Sequence, residues 1–367
     1  MVPPEARPPF DFLPPALRKH VDPASPVPLR MMAAKALVPL APADMLGALF
    51  LLTQDPDETV RTTASASAEK LPDRILGSAL RDEGVTPAVL GWALDLLQAN
   101  DVYVEMLVLN ASTPDEAVAR VAAQCSLRSL EIIGQNQLRL LRHEDVVRQL
   151  CANPKASPAL VDSVCDFCVR SGLTLADVAA MRAARIRIFG PGAADRAPDA
   201  GPSAEEILTE YQVGDESAPP LEEGKRLTFA QRIVRMSISE KIKLATKGNK
   251  EARGYLLRDS NKLVAVAAIR SPKITDPEIL AIANSRQAHD DVLRVVCSNR
   301  EWVKLYPVKL ALVKNPKVPL PLAMKFLSTL RESEVREIAR DKNVPSGIQL
   351  MAKKAMEKKN APKKEEH

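Results

Sequence analysis

Glycine is scarce in this chain, 14 residues in 367, and aromatic residues make up only 4% of it. Few aromatics beside abundant Ala and Leu suit small, closely packed helices better than a sheet sandwich. Long apolar runs are missing too. The most apolar stretch, "MLGALFLL" from Met45 to Leu52, is far shorter than the roughly 20 residues a membrane helix needs. The opening "MVPPEARPPF" has no basic segment followed by an apolar one, so no secretory leader is expected. Cysteine is limited to five residues, an odd number in a long chain, which argues against a disulfide framework and for a cytoplasmic protein without membrane insertion.

Signatures of catalysis are equally thin. The only histidines are His20, His143, His289 and His367. None stands in H-E-x-x-H spacing or a recognisable triad, and His143 before Glu144 has no second His four residues on. No G-x-G-x-x-G, Walker A or G-x-S-x-G element occurs. "KGNK" at 247–250 is too short for a phosphate loop and reads as the end of one helix and the start of another. Acidic pairs such as Glu222–Glu223 read as solvating charge. The expectation is a protein that is not an enzyme and carries no cofactor.

Proline, by contrast, is abundant at 30 residues, and its placement is informative. In "ALVKNPKVPLPLAMKFL" (311–327), Leu320, Ala323, Met324 and Leu327, continued by Leu330, follow helical spacing. Val308, Ala311 and Leu312 mark a shorter face before them, with Pro307 acceptable in a first turn. "NPK" breaks the first helix because the residue before proline avoids the α region, and Pro319 and Pro321 fit the entry to the second. The prolines therefore separate helices. The phrase recurs as "VLNASTPDEAVARVAA" (108–123), "CANPKASPALVDSVC" (151–165) and "AIRSPKITDPEILAIA" (268–283), with shorter echoes at 83–94 and 339–352. An imperfect period of this kind predicts an all-α fold, an α-solenoid of degenerate helical repeats.

Near the start, "DPASPVPLRMMAAKAL" (22–37) and "DPDETVRTTASASAEKL" (55–71) echo each other, each with Asp-Pro, an Arg and an Ala-rich helix. These resemble bacterial HEAT-like repeats, whose second helix often starts at an Asp-Pro turn and carries a Val-Arg pair, here Val60 and Arg61. The "NPKVP" units are more similar to the leucine-rich-repeat variant, another helical-repeat family, although the cysteine cluster of that family is absent. The resemblance implies architecture and little chemistry.

Composition divides the chain into four parts: an acidic helical-repeat array at 1–189, a flexible Pro/Gly/acidic linker at 190–225, a basic helical-repeat array at 226–352 and a charged, frayed tail at 353–367. Within the linker, Ser203 with Glu206 fits a capping box over "SAEEILTEY", as Ser237 with Glu240 does after it. Residues 1–220 carry a net charge of −9 and residues 221–367 a net of +14. The latter exceeds what solubility requires and favours an anionic partner.

Two basic groups in the second array are candidate partner-binding residues: Lys241, Lys243, Lys247, Lys250, Arg253, Arg258 and Lys262, then Arg300, Lys304, Lys309, Lys314 and Lys317 around Trp302. Basic residues with interleaved aromatics serve nucleic acid or an acidic peptide; alternatively the bases occupy the wet face while Trp302 and Tyr306 fill the core. Asn261, Asn299, Asn315 and Asn343 form either a peptide-binding ladder or helix caps, of which capping is preferred. Cys165 and Cys168 make a C-x-x-C which, with Cys151, Cys125 and His143, is a possible zinc set; alternatively these are small buried hydrophobes on one helix. The leading expectation is a non-catalytic scaffold or adaptor with a protein partner. The alternative is nucleic-acid binding through the basic array, and a third reading is a regulatory subunit or lyase-like enzyme.

Overall fold

A computed structural model describes residues 10–191, 201–212 and 221–360. Among these every regular element is helical, in 24 α-helices from Pro15–Arg18 to Ser346–Asn360. The chain forms two compact units that part near residue 195, with Ser171–Leu173 belonging to the second.

The first unit is solenoid-like. Helices Pro42–Leu52, Asp73–Leu80, Asp101–Leu109, Leu127–Gln135 and Pro158–Arg170 pack successively on one another. Beside them Val27–Ala34 packs on Glu58–Glu69, and Pro87–Leu97 on Asp115–Ala122, which in turn meets Glu144–Ala152. Stacking each helix on its second neighbour buries one continuous strip of Leu, Val and Ala, which no single pair could bury alone. The second unit repeats the scheme: Ala204–Glu210 packs on Ile238–Lys247, then Lys262–Ile269, then Asp290–Ser298, while Asp276–Asn284 packs on Tyr306–Lys314.

Proline sits in the first turn of helices Val27–Ala34, Pro42–Leu52, Pro87–Leu97, Asp276–Asn284, Tyr306–Lys314 and Leu320–Leu327, where its missing N–H has no partner to lose. Between the helices runs a recurrent turn. Asp22, Asp55, Asp82, Asn110, Asn153, Asp259, Asn315 and Asp341 each accept the backbone N–H two residues on through a side-chain oxygen.

Where that residue is asparagine it also fastens the repeat to the one before. Nδ2 of Asn110 donates to the carbonyls of Leu80 (2.8 Å) and Asp82 (3.2 Å). Asn153 reaches Ala122 (2.9 Å) and Cys125 (3.3 Å), and Asn315 reaches Ala283 (2.8 Å) and Ser285 (2.9 Å). These carbonyls lie at or just after helix C-termini, where no intrahelical partner exists. The lysine of "NPK" joins in: Lys155 Nζ donates to the Gln124 carbonyl at 3.0 Å and Lys317 Nζ to Ala288 at 3.1 Å.

Buried arginines make a second set of fastenings. Arg30 pairs with Asp55, Arg139 with Asp115 (2.9 Å) and Arg253 with Glu278 (2.9 Å), partners 25, 24 and 25 residues apart. Arg142 completes the middle one at 2.7 Å from Asp115.

Inside the 190–225 segment Ala204–Glu210 is a helix that begins at the Ser203–Glu206 capping box read from the sequence, and Ala204, Ile207 and Tyr211 are buried. Tyr211 lies 5.2 Å from Phe229, which lies 5.6 Å from Tyr255, and Glu240 accepts the Ala204 N–H at 2.8 Å. Glu240 thus secures this helix and does not close a capping box of its own. The next helix begins at Glu223, while 192–200 and 213–220 lie outside the described residues. The tail is helical through Asn360, because Lys, Ala, Met and Glu sustain the helix beyond the buried Ala352; 361–367 lie outside the described residues. In helix Leu320–Leu327 the buried face is Ala323, Phe326 and Leu327, with Leu320 exposed against Gly347.

Candidate partner-binding surface

The basic residues singled out in the second unit fall into distinct environments. Arg253 is a correction: it is 0% exposed, its Nε and Nη2 gripping Glu278 at 2.9 and 3.1 Å and its Nη1 donating to the Gly248 carbonyl at 3.0 Å. A guanidinium so enclosed offers nothing to a partner. Burial raises the Glu278 carboxyl, but hydrogen bonds from Arg253 and Thr275 outweigh it and hold the group below its ordinary range.

Lys241 is also drawn inward. Its side chain is 14% exposed and its ammonium sits 2.8 Å from Asp259, whose other oxygen closes the turn to Asn261. Lys243 pairs with Glu240 (3.0 Å), Lys304 with Glu301 (2.6 Å), Lys314 with Glu337 (2.7 Å) and Lys262 with Asp291 (3.9 Å). Lys317 is exposed but spends its ammonium on the repeat fastening, and Arg258 donates weakly to Gly254 at 3.5 Å. Arg300 is exposed. Lys247, Lys250 and Lys309 have no ion-pair partner among the described residues, and the first two are exposed. Lys273 Nζ donates to the Lys247 carbonyl at 3.4 Å, which brings a third lysine to the 247–250 turn.

The two aromatics are only half-buried. Trp302 begins a short 3-10 turn capped by Asn299, which accepts its N–H at 3.2 Å. The Tyr306 hydroxyl donates to Glu334 and accepts the Arg331 N–H at 2.9 Å, and the Arg331 guanidinium lies 4.9 Å over its ring. Asn261 likewise caps a helix through Leu263 N–H at 2.9 Å, and Asn315 is a fastening, so these two do not build a peptide ladder. Among the described residues no three of His, Cys, Asp and Glu gather as a metal site.

One surface lay outside the sequence reading. On helix Asp101–Leu109, Val102 is 58% exposed and Leu109 66% exposed, seven residues apart and hence on one face. Arg128 bonds Glu105 at 2.8 Å, which ties the start of helix Leu127–Gln135, where Leu127 is also exposed, to helix Asp101–Leu109. The apolar run "DVYVEMLVL" reads as core, and only the packed neighbours show which members stay outside.

Comparison of the chain with protein-family models, with curated proteins and with solved structures finds no match in any of the three. Among the described residues no helix is long and apolar enough to cross a membrane.

Proposed function

We propose that the chain is a non-catalytic scaffold that docks a protein partner on its solenoid surface. The observation that carries this reading is the exposed aliphatic face of Val102 and Leu109, with a further exposed leucine, Leu127, on the helix packed beside it. Single exposed aliphatics are ordinary, but several on one face of a regular stack mark a protein contact. The fastenings described above support it as well, since they spend buried polar groups on rigidity and leave the surface as the variable part. We read the repeats as HEAT-like and leucine-rich-repeat-variant-like: Val60 is buried while Arg61 Nη1 donates to the Asp55 and Pro56 carbonyls at 2.7 and 2.9 Å, so the Val-Arg pair holds the Asp-Pro turn.

The test is affinity capture with the wild-type chain and with Val102→Glu/Leu109→Glu. Both positions are exposed, so far-UV circular dichroism of the double variant is expected to match wild type while bound protein falls about tenfold or more. Equal capture by the folded variant overturns this surface.

A nucleic-acid reading draws on the lysines at the 247–250 turn and the net charge of +14 over residues 221–367. It requires affinity for single- or double-stranded DNA that falls with a log–log salt slope of about −2 to −3, as three phosphate contacts give, and that Lys247→Glu/Lys250→Glu abolishes. The scaffold reading expects no such binding at 100 mM salt.

A further inference from the structure

The C-x-x-C of Cys165 and Cys168 draws attention in the sequence, but the structure pairs Cys165 with a different thiol. Cys151, next to the end of helix Glu144–Ala152, has its Sγ 3.8 Å from Cys165 Sγ on helix Pro158–Arg170. Cys165 and Cys168 are fully buried and Cys151 is half-buried. We propose that Cys151 and Cys165 form a site of reversible oxidation, in which a hydroperoxide of the hydrogen peroxide class converts the two thiols to a disulfide that staples the two helices across the Asn153 turn.

The two sulfurs have to close by about 1.8 Å to reach bonding distance, a movement within reach of side-chain rotation. Their roles divide. The hydrogen bond between the two sulfurs lowers the Cys151 thiol, while the same bond and burial push Cys165 upward. Burial lifts Cys168 to about 12. Cys151 is therefore both the more exposed and the more readily ionised thiol of the three, the two properties that select the attacking sulfur.

The Cys151 thiolate attacks one peroxide oxygen, the O–O bond breaks, and the sulfur becomes a sulfenic acid while hydroxide leaves and takes a proton to become water. The Cys165 sulfur then attacks the Cys151 sulfur and the S–O bond breaks. The departing hydroxide takes the Cys165 proton, giving a second water and the S–S bond. Two electrons pass from the thiol pair to one peroxide, and a dithiol reductant reverses the change by exchange. The bond closes a segment of 14 residues containing the Asn153 fastening. Unfolding of the first unit is thus expected to move upward by about 5–10 °C on oxidation.

The experiment uses the full chain. Stoichiometric hydrogen peroxide, alkylation of remaining thiols and trypsin digestion without reductant should yield peptide 149–155 joined to peptide 156–170, two hydrogens lighter than the pair. Cys168→Ser should keep this product, and Cys151→Ser or Cys165→Ser should abolish it. If a variant fails to fold, tandem fragmentation of the wild-type linked pair decides the matter, since the alkyl group must then sit on Cys168 and the cross-link on Cys165. A bond within peptide 156–170, a disulfide between two chains, sulfinic acid at Cys151 without a cross-link, or unreacted thiols would each overturn the proposal.

Discussion

Arg253→Ala is expected to remove about 3–5 kcal/mol of stability from the second unit, far more than loss of a surface lysine. The guanidinium lies in a fully buried position and donates twice to Glu278 and once to the Gly248 carbonyl. Truncation leaves the carboxylate buried, with only the Thr275 hydroxyl (2.6 Å) and N–H (3.0 Å) to hold it. Urea denaturation followed by circular dichroism measures the loss, and a change below about 1 kcal/mol would show that the pair is not buried in solution. Arg253→Met combined with Glu278→Leu should recover most of the deficit, because an apolar pair of similar volume carries no desolvation penalty. Acid provides an independent check. The folded Glu278 carboxyl lies below its unfolded value, so its contribution is full above about pH 4–5 and is lost as pH falls through the folded value. The Arg253→Met/Glu278→Leu protein should accordingly lose less stability between pH 5 and pH 3 than wild type.

Asn315→Asp is expected to destabilise by about 2–4 kcal/mol, and Asn315→Ala by slightly less. The carboxylate keeps the Lys317 N–H at 3.0 Å but has no hydrogen to give the Ala283 and Ser285 carbonyls, and faces them with a charge. Native-state hydrogen exchange locates the effect: amides of 306–327 and 276–284 should exchange faster, while those of the first unit stay unchanged. Uniform protection in the aspartate variant would contradict the fastening role.

Helix boundaries were legible in the sequence because what sets them is local. Proline positions, the Ser203–Glu206 box and Asx turns act within four residues, and the helices Tyr306–Lys314 and Leu320–Leu327 begin with Pro307 and Pro321 in the first turn, where expected. What was not legible is set by partners one repeat away. Arg253 stands among Lys241, Lys243, Lys247 and Lys250, and its neighbours give no hint that Glu278 encloses it. The spacing of 24 or 25 residues recurs in the three buried pairs, but Asp115 precedes its arginine whereas Arg30 and Arg253 precede their acids, which hides the pattern. In the 190–225 segment the capping box marks the helix, but Pro, Gly and acidic residues outweigh Ile207 and Tyr211, whose spacing of four carries that helix into the core. The cysteines read together as a possible metal set, but which two meet is set by the turn at Asn153, which brings Cys151 to Cys165 from 14 residues away.

The reach of the fastenings has a consequence for length. Asparagine, lysine and arginine links alike connect residues 24 to 32 positions apart, so each anchor needs only the adjoining repeat as counterpart. Copying or excising a whole repeat keeps backbone carbonyls in place for the asparagine and lysine anchors, whereas a few residues added between Ala283 and Asn315 would throw the donor out of line with its acceptors. Arrays of this design are free to grow or shrink in whole-repeat steps and resist change in smaller ones.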